Sequence, residues 1–143
     1  ALVAHCAEDF KVRFPQRDIK TSANETVYVT GDALLLQIVT NNLLDNALKY
    51  SPKDSCITAE VVQTDLVAEI RIKDNGPGID DEEKKKVFDK FYRLGNEATK
   101  RAKGTGLGLY LSKKIIQNHG GNIFIQNNVG GGSIFTVQIA APE

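Results

Sequence analysis

Methionine is missing altogether from the 143 residues, and cysteine, histidine and proline are sparse, at 2, 2 and 4. The two cysteines, Cys6 and Cys56, stand far apart and form no C-x-x-C pair, which argues against a disulfide framework and a structural zinc site. That usage fits a reducing, cytoplasmic setting. Neither sign of charge is in surplus, since 18 Lys+Arg balance 18 Asp+Glu. A polybasic nucleic-acid binder needs excess cations to neutralise phosphates, so no nucleic-acid partner is expected. No stretch approaches the roughly 20 consecutive apolar residues of a membrane span, and no basic-then-apolar leader opens the chain. Direct membrane contact is therefore not expected. The absence of Met, with an opening in the middle of an apolar pattern, points to a segment of a longer protein, with a processed initiator as the alternative.

What is present, 41% hydrophobic and 25% charged residues, is the profile of one soluble globular domain. A chain of this length buries roughly 70% of its unfolded surface, enough for a core without staples. Leu2, Val3, Cys6 and Phe10 recur at helical spacing and stop before Pro15. Ile19 to Val29 suggests two short strands around the polar turn Ser22-Ala23-Asn24-Glu25, after which Asp32 offers an N-cap for a helix from Ala33 to about Tyr50. Two alternating runs, Cys56 to Gln63 and Leu66 to Lys73, suggest a hairpin. Asp80 and Glu83 resemble a capping box for a short helix ending in Lys84, Lys85 and Lys86. From Tyr92 to Lys103 apolar periodicity disappears while Arg93, Lys100, Arg101 and Lys103 accumulate, the pattern of a long loop. A further helix runs to about His119, and strands near Asn122 to Asn127 and Ser133 to Ala140 close the chain around a Gly-rich turn.

Three places carry chemistry. On a helix, Leu35, Ile38, Val39, Asn42, Asn46 and Lys49 share a narrow face, so two amides interrupt an apolar stripe. They need polar company: a hydrated cation such as Mg²⁺, for which amide oxygens are hard ligands, or neighbouring backbone. Asp74 continues the face of Ile72 to the point where Gly76 lets the chain turn, and suits either an adenine amino group or an Asx-turn. Gly104-Thr105-Gly106-Leu107-Gly108 precedes a helix, where free N–H groups would greet a phosphate, with a flexible hinge as the alternative.

The order of these elements resembles the catalytic domain of sensor histidine kinases. Asn42-Leu43-Leu44-Asp45-Asn46-Ala47-Leu48-Lys49-Tyr50 is similar to that family's N box, and Asp74-Asn75-Gly76-Pro77-Gly78-Ile79 to its G1 box. Val87-Phe88-Asp89-Lys90-Phe91-Tyr92-Arg93 resembles the F box, and Gly104 to Leu109 the G2 box. The resemblance covers nearly the whole chain, including the Asn118-His119-Gly120-Gly121 close of the last helix, and four ordered motifs are specific where each alone is weak.

The resemblance implies an α/β two-layer sandwich of the Bergerat type shared with gyrase-type ATPases, with a mixed, mostly antiparallel sheet covered on one face by about three helices. It implies one ATP-binding domain over residues 1–143, an ATP lid at about 92–103, and an upstream dimerisation domain that is not in this chain. It further implies ATP and Mg²⁺ as ligands. Asn46 would hold the metal with help from Asn42, Lys49 and Tyr50 would face the phosphates, and Asp74 would accept from the adenine amino group. Gly76, Gly78 and Ile79 would shape the base pocket, and Thr136 would hold a water beside the base. Gly104, Thr105, Gly106, Leu107, Gly108 and Leu109 would border the triphosphate, with Arg93 and Lys103 near its end. Related ATPases carry a Glu as general base four residues before the metal-binding Asn. This chain has Asn42 there, which cannot take that proton, so hydrolysis should be slow and the phosphoryl group kept for a protein acceptor, with Asp45 helping to orient it. The implied acceptor is a histidine on the dimerisation domain, and the next partner a response-regulator receiver domain. Neither His5 nor His119 is followed by the acidic residue of such an acceptor. The isolated domain is expected to be monomeric and its parent compatible with anchoring in an inner membrane. The rival readings are a nucleotide-binding regulatory module without kinase activity and an anti-sigma-type serine kinase.

Overall fold

The computed structural model describes residues 2–23, 31–52, 54–63, 67–76, 79, 81–84, 86–89, 108–128 and 131–140. Its elements are α1 (Leu2–Arg13), β1 (Asp18–Ala23), α2 (Ala33–Tyr50), β2 (Cys56–Gln63), β3 (Val67–Lys73), α3 (Asp81–Lys84), α4 (Gly108–Asn118), β4 (Asn122–Asn127) and β5 (Ser133–Ala140). Five strands form one sheet in the order β1-β2-β3-β5-β4. Only the β1–β2 pair is parallel.

Cross-strand partners share a face, so the register sorts every strand residue into one of two layers. Ile19 pairs with Ile57, Ala59 with Ile72, Ile72 with Phe135, and Ile123 with Val137. All are buried, and they form one core with Val3, Cys6, Ala7 and Phe10 of α1, Val39, Leu43, Leu44 and Ala47 of α2, and Ile116 of α4. The helices cover this face, giving the expected two-layer α/β sandwich. No helix among the described residues is long and apolar enough to cross a membrane.

The opposite sheet face carries ion pairs and side-chain hydrogen bonds. Glu69, 7% exposed, accepts from Gln138 Nε2 at 2.6 Å and from the Arg71 guanidinium, and Lys73 meets Glu60 at 3.0 Å. The Gln138 hydrogen bond, with help from Arg71, holds the Glu69 carboxyl below the usual carboxylate range despite its burial. A depressed carboxylate stabilises the fold above its ordinary pKa of about 4.3, and that contribution is lost as pH falls through the lowered value. Glu69→Gln is therefore expected to cost on the order of 1 kcal/mol at neutral pH, with the difference from the unmodified protein shrinking in acid. Denaturation midpoints at the two pH values measure it.

Local signals account for the helix boundaries. Asp32 caps α2 by accepting from Leu35 N at 3.1 Å, and Ser51 ends it in an extended conformation. At the close of α4, His119 donates from Nδ1 to Ile115 O at 2.8 Å and accepts at Nε2 from Asp32 N at 3.0 Å. The amide of Asp32 can only donate, and this sets the ring's tautomer.

Three expectations change. Ser22 and Ala23 are not a turn: β1 runs through them, pairing with Glu60 and Val61. Their backbone hydrogen bonds to β2 outweigh a polar composition that favours turns. The short helix ends at Lys84, and Lys86 begins a turn closed by Asp89 N to Lys86 O at 2.9 Å. The buried stripe of α2 is Leu36, Val39, Thr40, Leu43, Leu44 and Ala47. Asn42, Asn46 and Lys49 are half-buried along its margin, beside exposed Ile38, because the wider apolar arc takes the core. Asp80, the Tyr92–Lys103 segment, and the strand expected near Val29 lie outside the described residues.

Candidate functional site

Asn42 and Asn46 stand at the margin of the buried stripe of α2 and not within it. Asn42 Nδ2 lies 3.2 Å from both Gly108 O and Ser112 Oγ, and Ser112, fully buried, donates to Gly108 O at 2.8 Å. The amide thus ties the start of α4 to the middle of α2 through its nitrogen, leaving the harder donor, the oxygen, outside this network. A Cβ at Gly108 would stand 3.6 Å from Asn42 Cγ, in ordinary contact. Asn46 lies one turn further along the same flank, half-buried, and exposed Asp45 stands beside it. Lys49 and Tyr50 finish the helix, with Lys49 Nζ 5.8 Å from the Tyr50 ring centroid. Eight residues of helix separate Asn42 from Tyr50, about 12 Å at 1.5 Å per residue.

The far end of this flank meets a second cluster. Asp74, 5% exposed, accepts through Oδ1 from Gly76 N at 2.9 Å and Ser133 N at 3.3 Å. Its own amide donates to Ser133 O at 3.0 Å. Both side-chain bonds fall on Oδ1, so the Asx-turn at Gly76 exists without using Oδ2. Burial pushes the carboxyl above its ordinary value, and the Gly76 and Ser133 amides pull it part of the way back. Gly76 sits so close to α2 that a Cβ there would stand 2.5 Å from Tyr50 O. Gly132, at φ +95°, packs against the Asp74 carbonyl, where a Cβ would stand 1.9 Å away. Ile79 is buried nearby in sequence and donates its amide to Asn127 Oδ1 at 3.4 Å. Leu109 packs at the edge of the core.

Thr136 does not join this cluster. It pairs with Arg71 and Phe124, and so takes the sheet face opposite Phe135, Val137 and the helices. Its hydroxyl is buried there with no hydrogen-bond partner among the described residues. Strand alternation puts Ser133, three residues earlier, on the helix-covered face beside Asp74. Counting back by twos from Phe135 in the sequence reaches Ser133 and would have found it. Gly78, Arg93, Lys103, Gly104, Thr105, Gly106 and Leu107 lie outside the described residues.

The flank of α2 therefore joins two chemically different ends. One presents a buried carboxylate held by backbone amides, the other neutral amides beside a helix N-terminus, where the dipole favours an anion. Among the described residues no group of three or more His, Cys, Asp or Glu could hold a metal ion. A hard cation here would need amide oxygens supplemented by oxygens of a ligand, which is how Mg²⁺ is commonly held. The donor set fits.

Comparison with known proteins gives the chain a family. Sensor protein CiaH of Streptococcus pneumoniae is 36% identical over 140 residues, covering 92% of this chain and 32% of its own length. The chain thus spans about a third of that relative. Among solved structures, a mycobacterial sensor histidine kinase, MprB, superposes with a TM-score of 0.84 at 27% identity, covering 98% of this chain and 92% of that one. The ATP-binding domain of PrrB from Mycobacterium tuberculosis superposes at 0.80 with 25% identity, covering 99% and 93%. Residues 31–143 match the family described as histidine kinase-, DNA gyrase B- and HSP90-like ATPase, and the chain belongs to it.

Proposed function

We propose that the chain binds Mg-ATP along the flank of α2 and delivers the γ-phosphoryl group to a histidine on the dimerisation domain of its parent sensor kinase. The observation that carries this reading is the arrangement of Asn42, Asn46, Lys49 and Tyr50 on one flank, with a helix N-terminus at one end and the Asp74–Gly76 corner at the other. Adenine lies at Asp74, whose Oδ2 accepts from the amino group, with Gly76, Gly78 and Ile79 around the base and Ser133, in place of Thr136, beside it. The phosphates lie toward Asn42, bordered by Lys49, Tyr50 and the Gly104–Leu109 segment, with Arg93 and Lys103 at the γ end.

Asn46, with Asn42 offering its amide oxygen, would hold Mg²⁺, which would supply charge neutralisation to the phosphates. The chain's own residues align and shield the triphosphate, and Asp45, exposed beside Asn46, orients the incoming imidazole. A neutral amide at position 42 provides no base for water. Phosphoryl transfer to a protein then prevails over hydrolysis, and the receiver domain of a response regulator takes the group from the histidine.

Asn46→Ala is expected to remove most of the gain in ATP affinity that Mg²⁺ gives, measured by calorimetry with and without the ion. It should also slow label transfer from γ-labelled ATP to an added His-bearing helical domain by roughly 100-fold. Equal loss of affinity under both conditions would refute the metal role. Acid-labile label on this chain alone would refute the assignment of the acceptor to another domain.

A further inference from the structure

The last turn of α2 carries Lys49 and Tyr50 and leans on Gly76, yet a helix end leaves its final carbonyls without intrahelical partners. In this protein the partner comes from far away in sequence. Arg17, in the turn between α1 and β1, sends Nη1 to Leu48 O at 3.2 Å and Nη2 to Ser51 Oγ at 2.6 Å. Ser51 in turn donates to Ala47 O at 2.6 Å. Among the described residues no carboxylate pairs with this guanidinium. Its Nε is buried without a hydrogen-bond partner among the described residues, so the side chain gives up hydration to reach the helix end. A cation at a helix C-terminus meets the negative end of the dipole, and the planar fork serves two acceptors where an ammonium serves one well.

The contacts continue from this cap to the candidate site. Ser51 Cα and Tyr50 O are the atoms against which Gly76 packs, at 3.4 and 2.5 Å from where its Cβ would be. Gly76 N then donates to Asp74 Oδ1 at 2.9 Å. From the guanidinium to the carboxylate there are only two hydrogen bonds and one close backbone approach. We infer that Arg17 is a positioning residue for the nucleotide site: it fixes the last turn of α2, and through Gly76 the aim of Asp74, without touching the ligand. This rests on the reading of Asp74 as the adenine acceptor.

Such a role predicts an effect at the base end and not at the metal end. Arg17→Met is expected to weaken ATP about tenfold and to reduce the preference for ATP over GTP, while the factor by which Mg²⁺ improves ATP binding stays unchanged. Arg17→Lys, keeping the charge and one hydrogen bond, should recover part of both losses. Ser51→Ala should weaken ATP by itself, and the double variant should be scarcely worse than Arg17→Met, because the two side chains act as one unit.

Calorimetry with ATP and GTP, with and without Mg²⁺, reads all of these on variants shown by circular dichroism to be folded. Unchanged ATP affinity in folded Arg17→Met overturns the inference. So does a loss of thermal stability that leaves both the base preference and the Mg²⁺ factor as they were, which would make Arg17 structural only. If the unmodified chain itself fails to bind ATP, the site reading falls. If it binds ATP and only the Arg17 variants behave normally, that reading stands and Arg17's part in it falls alone.

Discussion

Gly132→Ala is expected to destabilise the fold by about 3 kcal/mol, a strain at positive φ and a steric clash each costing roughly 1 to 3. The added methyl would stand 1.9 Å from Asp74 O and 2.7 Å from Asp74 C, with φ at +95° disfavouring any side chain as well. The obstruction is backbone, so no side-chain rotation relieves it. Strands β3 and β5 must part where Asp74 N pairs with Ser133 O. Gly131→Ala is the control, since φ is +114° there but no described residue lies within 4 Å of the added carbon. It should cost only about 1 kcal/mol of backbone strain. Urea denaturation of the two variants separates close approach from strain, and equal losses would show that the packing against Asp74 carries no weight. Because the displaced atoms belong to Asp74, the surviving folded fraction of Gly132→Ala should also bind ATP more weakly.

Asp74→Asn should leave the fold intact and weaken ATP by roughly 10 to 100-fold, about 1.4 to 2.8 kcal/mol. The asymmetry of its hydrogen bonds explains why so small a change matters. Gly76 N and Ser133 N both donate to Oδ1, so the amide oxygen of Asn must take that place and its NH₂ must replace Oδ2. A donor then faces the donor on adenine. Stability should respond in the other direction, because the buried carboxyl titrates above its ordinary value. A raised acid stabilises the folded state while it is protonated, and that contribution is lost as pH climbs through the raised value. Asn, never charged, is exempt. ATP affinity of the unmodified protein should fall as acid protonates Asp74, since the neutral carboxyl offers a poorer acceptor. Calorimetric titration across pH, with ATP and GTP compared, checks both signs. Equal binding of the two nucleotides by the unmodified chain would remove Asp74 as the reader of adenine.

Much of this was legible in the sequence because local chemistry wrote it. Asp32 before an apolar run marked the start of α2, and alternation in residues 56–73 the hairpin. Features that depend on long-range register were harder to read. The face of Thr136 follows from its pairing with Arg71 and Phe124, although the period of two along β5 already favoured Ser133. The offset of the amides from the buried stripe reflects which of two overlapping arcs on α2 the sheet and α4 select. The partners of Arg17 lay beyond local signals, 31 and 34 residues away, and although Arg71 stands two residues from Glu69, its other partner, Gln138, lies 69 residues on.

The polar links between α2 and α4 have a dynamic consequence. Asp32 meets His119 at one end of the pair, and Asn42 meets Gly108 and Ser112 at the other, so the two helices run in opposite directions and are pinned twice. The pins are ten residues, about 15 Å, apart along α2. A single pin would let one helix swivel about the other. With two, separating the pair breaks bonds at both ends at once. The first half of α2 and the whole of α4 are therefore locked against swivelling, while the far end of α2 is held separately by the Arg17 hydrogen bonds to Leu48 O and Ser51 Oγ.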